Sequence, residues 1–333
     1  MSAKWNWSEV KAGKDYEFQG YSDFSIMTPI KGLVREIVQN SWDARRDRNG
    51  PLLVKFRFAT ASNPDREKYL AKELWSHLEQ GLVEMEDEHG PLYEQLRDKG
   101  KWSEELRYLE VSDFHTTGLN GDEEETKRTK KSKETNVFRQ FHHSFGVSEG
   151  NTTRGGSWGF GKAVTPYASK IKTFFALSVR DKTPDLITDD LDYSLLGQSI
   201  IKNHFLPHVD PLWEWSGYYS IRSSPSSDNL PVTKTNLNEI NTFIKAFKLD
   251  NRTLKEEDRG LTLIIPYPKD GITPGNVAKE IIINYLQLLN AGKLEIEIID
   301  EDKSLHWNIT KNDIGKWLDD TNASHGTLLG WDE

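Results

Sequence analysis

The chain of 333 residues carries 43 Lys and Arg against 52 Asp and Glu, which gives a formal net charge of −9. So acidic a chain is not a general nucleic-acid binder, although a local basic patch would leave DNA contact open. The absence of cysteine excludes disulfides, thiolate metal sites and cysteine nucleophiles. No apolar run is long enough for a membrane span and the N-terminus has no signal-peptide core, so the sequence predicts a cytoplasmic protein without membrane contact.

The first 60 residues predict an aromatic N-terminal arm, a helix and a strand. Thr28-Pro29 provides an N-cap hydroxyl and a proline at the first helical position, and Asn49-Gly50-Pro51 ends this element. Leu52 to Phe58 then alternates in the manner of a strand. Residues 61–106 are rich in Glu, Lys and Leu and predict two or three surface helices, whose apolar positions form either a packing face or a partner-binding face.

The rest of the chain mixes strands and helices without strict βαβ alternation, which favours an α+β fold. A charged stretch over residues 122–134 has nothing to bury and predicts a mobile loop. Strands are predicted at residues 107–112, 172–180, 217–222, 260–266 and 293–299, and a strongly periodic helix at 276–290.

The first candidate motif lies on the helix that begins near Thr28. At about 100° per residue, Glu36, Asn40 and Asp43 fall within an arc of roughly 60° beside the apolar stripe. Polar groups at the edge of a core are costly unless they bind something. An amide oxygen beside carboxylates suits Mg²⁺, and Glu36 one turn earlier could polarise a water. An ordinary amphipathic helix with a polar flank is the alternative.

The second motif follows a strand, where Asp113 is succeeded by a Thr-Thr-Gly loop. An aspartate at a strand end can accept a hydrogen bond from an exocyclic amine, although it also commonly caps a turn. A third motif, GGSWGFGK, spaces Gly156, Gly159 and Gly161 as G-x-x-G-x-G before a helix, which is typical of phosphate binding or of a tight turn. It is not a Walker A loop, because Lys162 is followed by alanine.

The order of these motifs, completed by a G-x-T strand start at Gly260, resembles the GHKL superfamily of ATPases over residues 20–268. The resemblance implies the Bergerat fold, a two-layer sandwich of a mixed, mostly antiparallel sheet covered by helices. It implies an ATP-binding domain at 1–268, with a helical insertion at about 61–106 and an ATP lid at about 119–155. Residues 269–333 would be a C-terminal α/β extension that could begin a transducer-like domain. The second motif departs from the family's D-x-G-x-G, because its first glycine is missing.

The resemblance also implies residue roles. Glu36 would be the general base, and Asn40 would coordinate Mg²⁺. Asp113 would accept from the adenine amino group, Gly118 would allow close approach, and Thr262 would support the adenine site through Asp113 or a water. The other residues implied to line the ATP site are Asp43, Ala44, Thr117, Leu119, Gly156, Trp158, Gly159, Phe160, Gly161 and Lys162.

The resemblance predicts a Mg²⁺-dependent ATPase whose ATP binding closes the lid and drives homodimerisation through the aromatic arm, unless the arm packs on its own domain. We expect an ATPase subunit of a DNA-handling or anti-phage defence system that works with an effector protein. The alternative is an ATP-gated binding, scaffold or chaperone-like module with negligible turnover. A histidine kinase is disfavoured, since only about 30 residues precede the first helix. His142 and His143 could touch phosphate, but no metal site is expected there.

Overall fold

The computed structural model describes residues 2–11, 28–47, 50–85, 106–125, 136–143, 161–181, 190–224 and 226–318. The strands within these residues are β1 (Lys4–Glu9), β2 (Leu52–Ala61), β3 (Leu106–Phe114), β4 (Thr173–Asp181), β5 (Leu191–Ile200), β6 (His204–Phe205), β7 (Leu212–Ser220), β8 (Gly260–Pro266), β9 (Leu294–Asp300) and β10 (Leu305–Ile309). The helices are α1 (Pro29–Asp43), α2 (Asn63–Tyr69), α3 (Lys72–Val83), α4 (Val137–His143), α5 (Gly161–Ala168), α6 (Leu237–Ala246), α7 (Pro274–Asn290) and α8 (Ile314–Leu318).

The described strands form one sheet in the order β1-β7-β5-β4-β8-β3-β2-β9-β10, and β6 pairs with β7. β2 and β9 run parallel, whereas the other pairings are antiparallel. The predicted α+β class with a mixed, mostly antiparallel sheet is therefore confirmed. Because β9 joins the sheet beside β2, residues beyond 268 share one core with the residues before them.

Helices α1, α5 and α7 cover one face of this sheet. Pro29 begins α1 after an extended Thr28, as the sequence predicted, but the Thr28 side chain makes no capping hydrogen bond. The Thr273 hydroxyl caps α7 by accepting from the backbone N–H of Asn276 at 3.3 Å. The Tyr285 hydroxyl of α7 donates to the carbonyl of Arg35 in α1 at 3.0 Å. The polar edge of α1 therefore belongs to the helical layer on this face of the sheet.

Helices α2, α3 and α6 cover the opposite face, where aromatic rings pack edge to face. The Trp5 indole N–H donates to the carbonyl of Tyr69 at 2.8 Å, so the described part of the N-terminal arm packs on its own chain. Tyr16, Phe18, Tyr21 and Phe24 of the arm lie outside the described residues. The rings of this cluster belong to Trp5, Tyr69, Phe175, Tyr219, Phe243 and Phe247.

The region expected to form a helical insertion contributes to this second covering layer. Leu74 and Leu78 of α3 are fully buried and belong to the core, so its apolar positions are a packing face. Residues 86–105 lie outside the described part of the chain. Within the described residues, no helix has both the length and the apolar character that crossing a bilayer would require.

Some strands of the structure differ from the predicted ones in their bounds, and others were not predicted. The strand predicted at 217–222 is β7 and begins at Leu212, while β8 has the predicted bounds. The prediction omitted β5 and β1, and it treated parts of 181–258 as insertions. Because β5 pairs with both β4 and β7, this stretch instead contributes to the main sheet.

A buried ion pair joins β2 to β3. The Arg57 guanidinium donates to Glu110 Oε2 at 2.5 Å, to Glu301 Oε1 at 2.7 Å and to the Phe247 carbonyl at 2.5 Å. Burial opposes the charge of Arg57, but Glu110, Tyr108 and Glu301 outweigh it and raise the arginine's pKa. The pair is therefore satisfied on both sides, which is the condition for charges to persist inside a protein.

Replacing Arg57 with methionine should lower the free energy of unfolding by about 3–5 kcal/mol, because Glu110 would remain as a buried charge without its partner. Lys55→Met, on the same face of the same strand, is the control and should cost no more than about 0.5 kcal/mol. Urea denaturation would measure both variants. Equal stability of the two would contradict this account of the pair.

Candidate functional site

The polar edge of α1 carries the residues that the sequence placed at a metal and a reacting water. The Asn40 amide Nδ2 donates to Glu36 Oε1 at 2.9 Å, one helical turn apart. Asn40 and Asp43 are exposed and Glu36 is half-buried. Because the bond uses the N–H of Asn40, the carbonyl oxygen of this side chain retains its lone pairs for a hard cation such as Mg²⁺.

The carboxylate of Asp113 is the centre of a buried network. Its Oδ2 accepts from the Ser41 hydroxyl of α1 at 2.7 Å. Its Oδ1 accepts from the Thr116 hydroxyl at 2.7 Å and from the backbone N–H of Leu261 at 2.8 Å. A carboxylate offers about four acceptor positions. These three donors therefore leave one position, on Oδ2, for a further donor.

The loop after β3 is held against the end of α1. The Thr117 backbone N–H donates to the carbonyl of Ala44 at 2.9 Å, and the Arg46 N–H donates to His115 O at 3.2 Å. His115 adopts a positive φ of 61°, which turns the chain back towards the helix. Ala44 and Thr117, both predicted at the nucleotide site, are thus brought together beside Asp113.

Contacts within the protein itself explain why residue 118 is a glycine. Its φ is +62°, and a Cβ here would lie 2.4 Å from Ser178 Oγ and 2.7 Å from the Val179 carbonyl. The next residue, Leu119, donates its N–H to Ser178 Oγ at 2.8 Å and buries its side chain in the core. The close approach predicted at Gly118 is made to β4, and a bound nucleotide is not needed to account for either residue.

Thr262 is linked to Asp113 through the side chain of Arg252. Its hydroxyl contacts Ser112 Oγ at 2.8 Å and accepts from Arg252 Nε at 2.7 Å. Arg252 in turn donates to the backbone carbonyl of Asp113. Burial lowers the pKa of Arg252 to about 10, opposed by the charges of Asp113 and Glu110. Among the described residues, Thr262 therefore reaches Asp113 through an arginine.

The glycine motif falls largely outside the described residues. Gly156, Trp158, Gly159 and Phe160 lie there, as do the side chain of Lys162 and most of the predicted lid. Gly161, the last glycine of the motif, begins α5, and α5 packs against α1. The helix that follows the third motif therefore lies beside the helix that carries the first.

The structure describes the surroundings of one of the two predicted histidines, His142. His142 is fully buried between the rings of Phe138 and Phe141, and its carbonyl accepts from the Tyr218 hydroxyl at 3.4 Å. The side chain of His143 lies outside the described residues. In the part of the chain that the structure describes, no group of three or more His, Asp or Glu side chains is arranged to hold a metal.

Sequence reasoning missed three residues that position Asp113. Ser41 carried a usable signal, because a polar residue on the apolar face of a helix must find a buried partner. Thr116 belonged to the quoted motif, whose threonine hydroxyls were expected to join through water, whereas its hydroxyl donates directly to Asp113. Arg252 had no local signal, because it lies in the connection between α6 and β8 and reaches Asp113 only through the fold.

The sequence matches no protein-family model and no curated protein. The functional interpretation therefore depends on the residues that the structure brings together. These are the Glu36–Asn40 pair on the exposed edge of α1 and the Asp113 network, which contacts the buried face of the same helix.

Ser41→Ala should lower the free energy of unfolding by about 1.5–3 kcal/mol, because it removes a hydrogen bond to a buried carboxylate. Asn40→Ala, the neighbouring position, is exposed and should change stability by less than about 0.5 kcal/mol. Thermal and urea unfolding of the two variants give the comparison. A Ser41→Ala protein as stable as Asn40→Ala would show that the network does not hold Asp113.

Proposed function

We propose that this protein binds ATP and hydrolyses it with Mg²⁺. The observation that carries the proposal is the placement of two different kinds of site on one helix. Ser41 holds the buried Asp113 carboxylate, while Glu36 and Asn40 form a hydrogen-bonded pair on the exposed edge. At 1.5 Å per residue, Glu36 and Ser41 are separated by about 7.5 Å along the helix. One nucleotide lying along α1 would contact both.

Asp113 would recognise the base. It is 7% exposed, and its Oδ2 has one acceptor position beyond the bond from Ser41. An exocyclic amine of adenine is a donor of the kind that this position takes. The Thr116 and Leu261 bonds fix the orientation of the carboxylate before a ligand arrives, so little ordering would be needed on binding.

Glu36 and Asn40 would act at the phosphate end. The bond from Asn40 Nδ2 orients the Glu36 carboxylate, which would accept the proton of the attacking water. The free carbonyl oxygen of Asn40 would hold Mg²⁺, which supplies charge neutralisation at the transferring phosphoryl group when bound. The glycines that precede α5 would add backbone N–H donors for the phosphates beside α1.

A fixed anchor lies at the start of the segment proposed as the lid. Arg180 donates to the carbonyls of Leu119 and Gly121 at 3.1 and 2.8 Å, and to Glu123 at 2.7 Å. Asn136 accepts from the Arg139 N–H at 2.9 Å at the start of α4. We propose that ATP binding closes the lid about this anchor, within a Bergerat-type sandwich. Nucleotide-dependent homodimerisation, an effector protein and a DNA-handling or anti-phage role extend the same proposal.

Glu36→Gln should reduce the single-turnover rate of ATP hydrolysis by about 10²–10⁴-fold, because the amide cannot accept the proton of water. ATP binding should be retained, since the amide keeps the size of the carboxylate. A quenched time course with radiolabelled ATP and Mg²⁺ measures the rate. Glu67→Gln, at an exposed position of α2, is the matched control and should hydrolyse ATP at the wild-type rate.

Equal rates for Glu36→Gln and the wild type would remove Glu36 as the base. Tight ATP binding without turnover in the wild type would instead favour a nucleotide-gated binding module. These two outcomes are separated by measuring bound nucleotide and released phosphate in the same samples.

A further inference from the structure

A cavity lies at the start of β3, at the opposite end of this strand from Asp113. It has a volume of about 250 Å³ and lies between the start of β3, the α5–β4 connection, the β8–α7 connection and the β9–β10 turn. Arg107 in its wall and Asp113 are six residues apart on β3, which is about 20 Å along an extended strand. The cavity is therefore separate from the proposed ATP site.

The walls of this cavity are rich in cations. Arg107, Lys170, Lys269 and Lys303 line it, together with the residues that begin the 17-residue helix α7. The N-terminal end of a helix adds favourable potential for an anion. The one carboxylate in the lining is Asp270, which is exposed and pairs with Lys170 at 2.7 Å.

Two of these cations, Arg107 and Lys303, form ion pairs with carboxylates at distances longer than a hydrogen bond. Arg107 lies 3.8 Å from Asp300 and 3.9 Å from Asp302, and Lys303 lies 3.6 Å from Asp300. These separations exceed hydrogen-bond length. Asp300 is fully buried, and neither of its oxygens accepts a hydrogen bond. Within the described residues, Arg107 is therefore ion-paired with Asp300 and Asp302 but hydrogen-bonded to neither carboxylate, so its N–H groups could donate to a ligand.

Lys269 is a third cation in the wall of this cavity. Its ammonium lies 3.2 Å from the centroid of the Tyr167 ring, and no carboxylate among the described residues pairs with it. The buried Lys172 lies 5.0 Å from the same ring centroid. Burial lowers the pKa of Lys269 to about 8, opposed by its contact with Lys172. An anion in the cavity would supply the charge that Lys269 otherwise lacks.

We propose that this cavity is a binding site for a small phosphate-class anion, held by Arg107, Lys269 and Lys303. Its volume is below the roughly 300 Å³ at which pockets for drug-sized ligands begin. Inorganic phosphate or pyrophosphate is therefore the ligand class that fits, and a whole nucleotide is not. The groups that face the anion and titrate or carry charge are Arg107, Lys170, Lys269, Lys303 and Asp270, with Lys172, Tyr167 and Asp300 behind them.

Because anion binding is linked to the protonation of Lys269, the affinity of this site should depend on pH. The bound anion favours protonated Lys269, so binding near pH 8 should take up protons. Affinity should fall as the pH rises above about 8, because the neutral amine must then be charged first.

Calorimetric titration of the full chain with phosphate and with pyrophosphate tests the proposal, at constant ionic strength and at pH 7 and pH 9. Saturable binding of either anion is expected, up to about tenfold tighter at pH 7 than at pH 9, with proton uptake seen in buffers of different ionisation enthalpy. Lys269→Met should weaken binding at least about tenfold. Lys245→Met, at an exposed position of α6, is the control and should bind as the wild type does.

A further variant separates this site from the proposed ATP site. Phosphate and pyrophosphate binding should survive in Asn40→Ala, because Asn40 belongs to the proposed phosphate end of the ATP site and does not line this cavity. Loss of binding in Asn40→Ala but not in Lys269→Met would place the anion at the nucleotide site and overturn the proposal. No saturable binding of either anion to the wild type would also overturn it, whatever the result with ATP.

Discussion

The arrangement of the proposed site depends on how the Asp113 carboxylate is held. Three donors reach it from separate parts of the chain: the Ser41 hydroxyl of α1, the Thr116 hydroxyl of the loop after β3, and the Leu261 N–H of β8. A buried carboxylate is tolerated only when it is hydrogen-bonded. These three bonds therefore stabilise the charge and fix α1 against the sheet, and one acceptor position on Oδ2 remains for the donor that we propose.

The polar network continues beyond Asp113 through the interior of the sheet. Its donors find acceptors within β3, on neighbouring strands and in the connections between elements, which lets charged groups lie on a face otherwise covered by aromatic rings. At its far end the network reaches the β9–β10 turn, so the nucleotide end of β3 and the C-terminal strands share one set of hydrogen bonds. In order, these bonds join Asp113, Arg252, Thr262, Ser112, Glu110, Arg57 and Glu301.

Local patterns in the sequence predicted α1 and β8 well, because the proline at the first position of α1 and the apolar run after Gly260 are encoded within a few residues. β5 was missed because it is buried on both faces and carries polar residues, so it shows neither alternation nor a continuous apolar run. The same limit applies to the site. Glu36 and Asn40 are one turn apart and were found together, whereas the contact from Arg252 to Asp113 spans 139 positions and exists only in the fold.

The central claim is that Asp113 and the edge of α1 form one nucleotide site. Equilibrium titration of the full chain with ATP tests it most directly, with and without Mg²⁺ and beside Asp113→Asn. The account predicts saturable one-to-one binding that Mg²⁺ strengthens and that Asp113→Asn weakens at least about tenfold, because an exocyclic amine loses a charged acceptor. Absence of ATP binding by the wild type, or unchanged affinity in a folded Asp113→Asn protein, would contradict it.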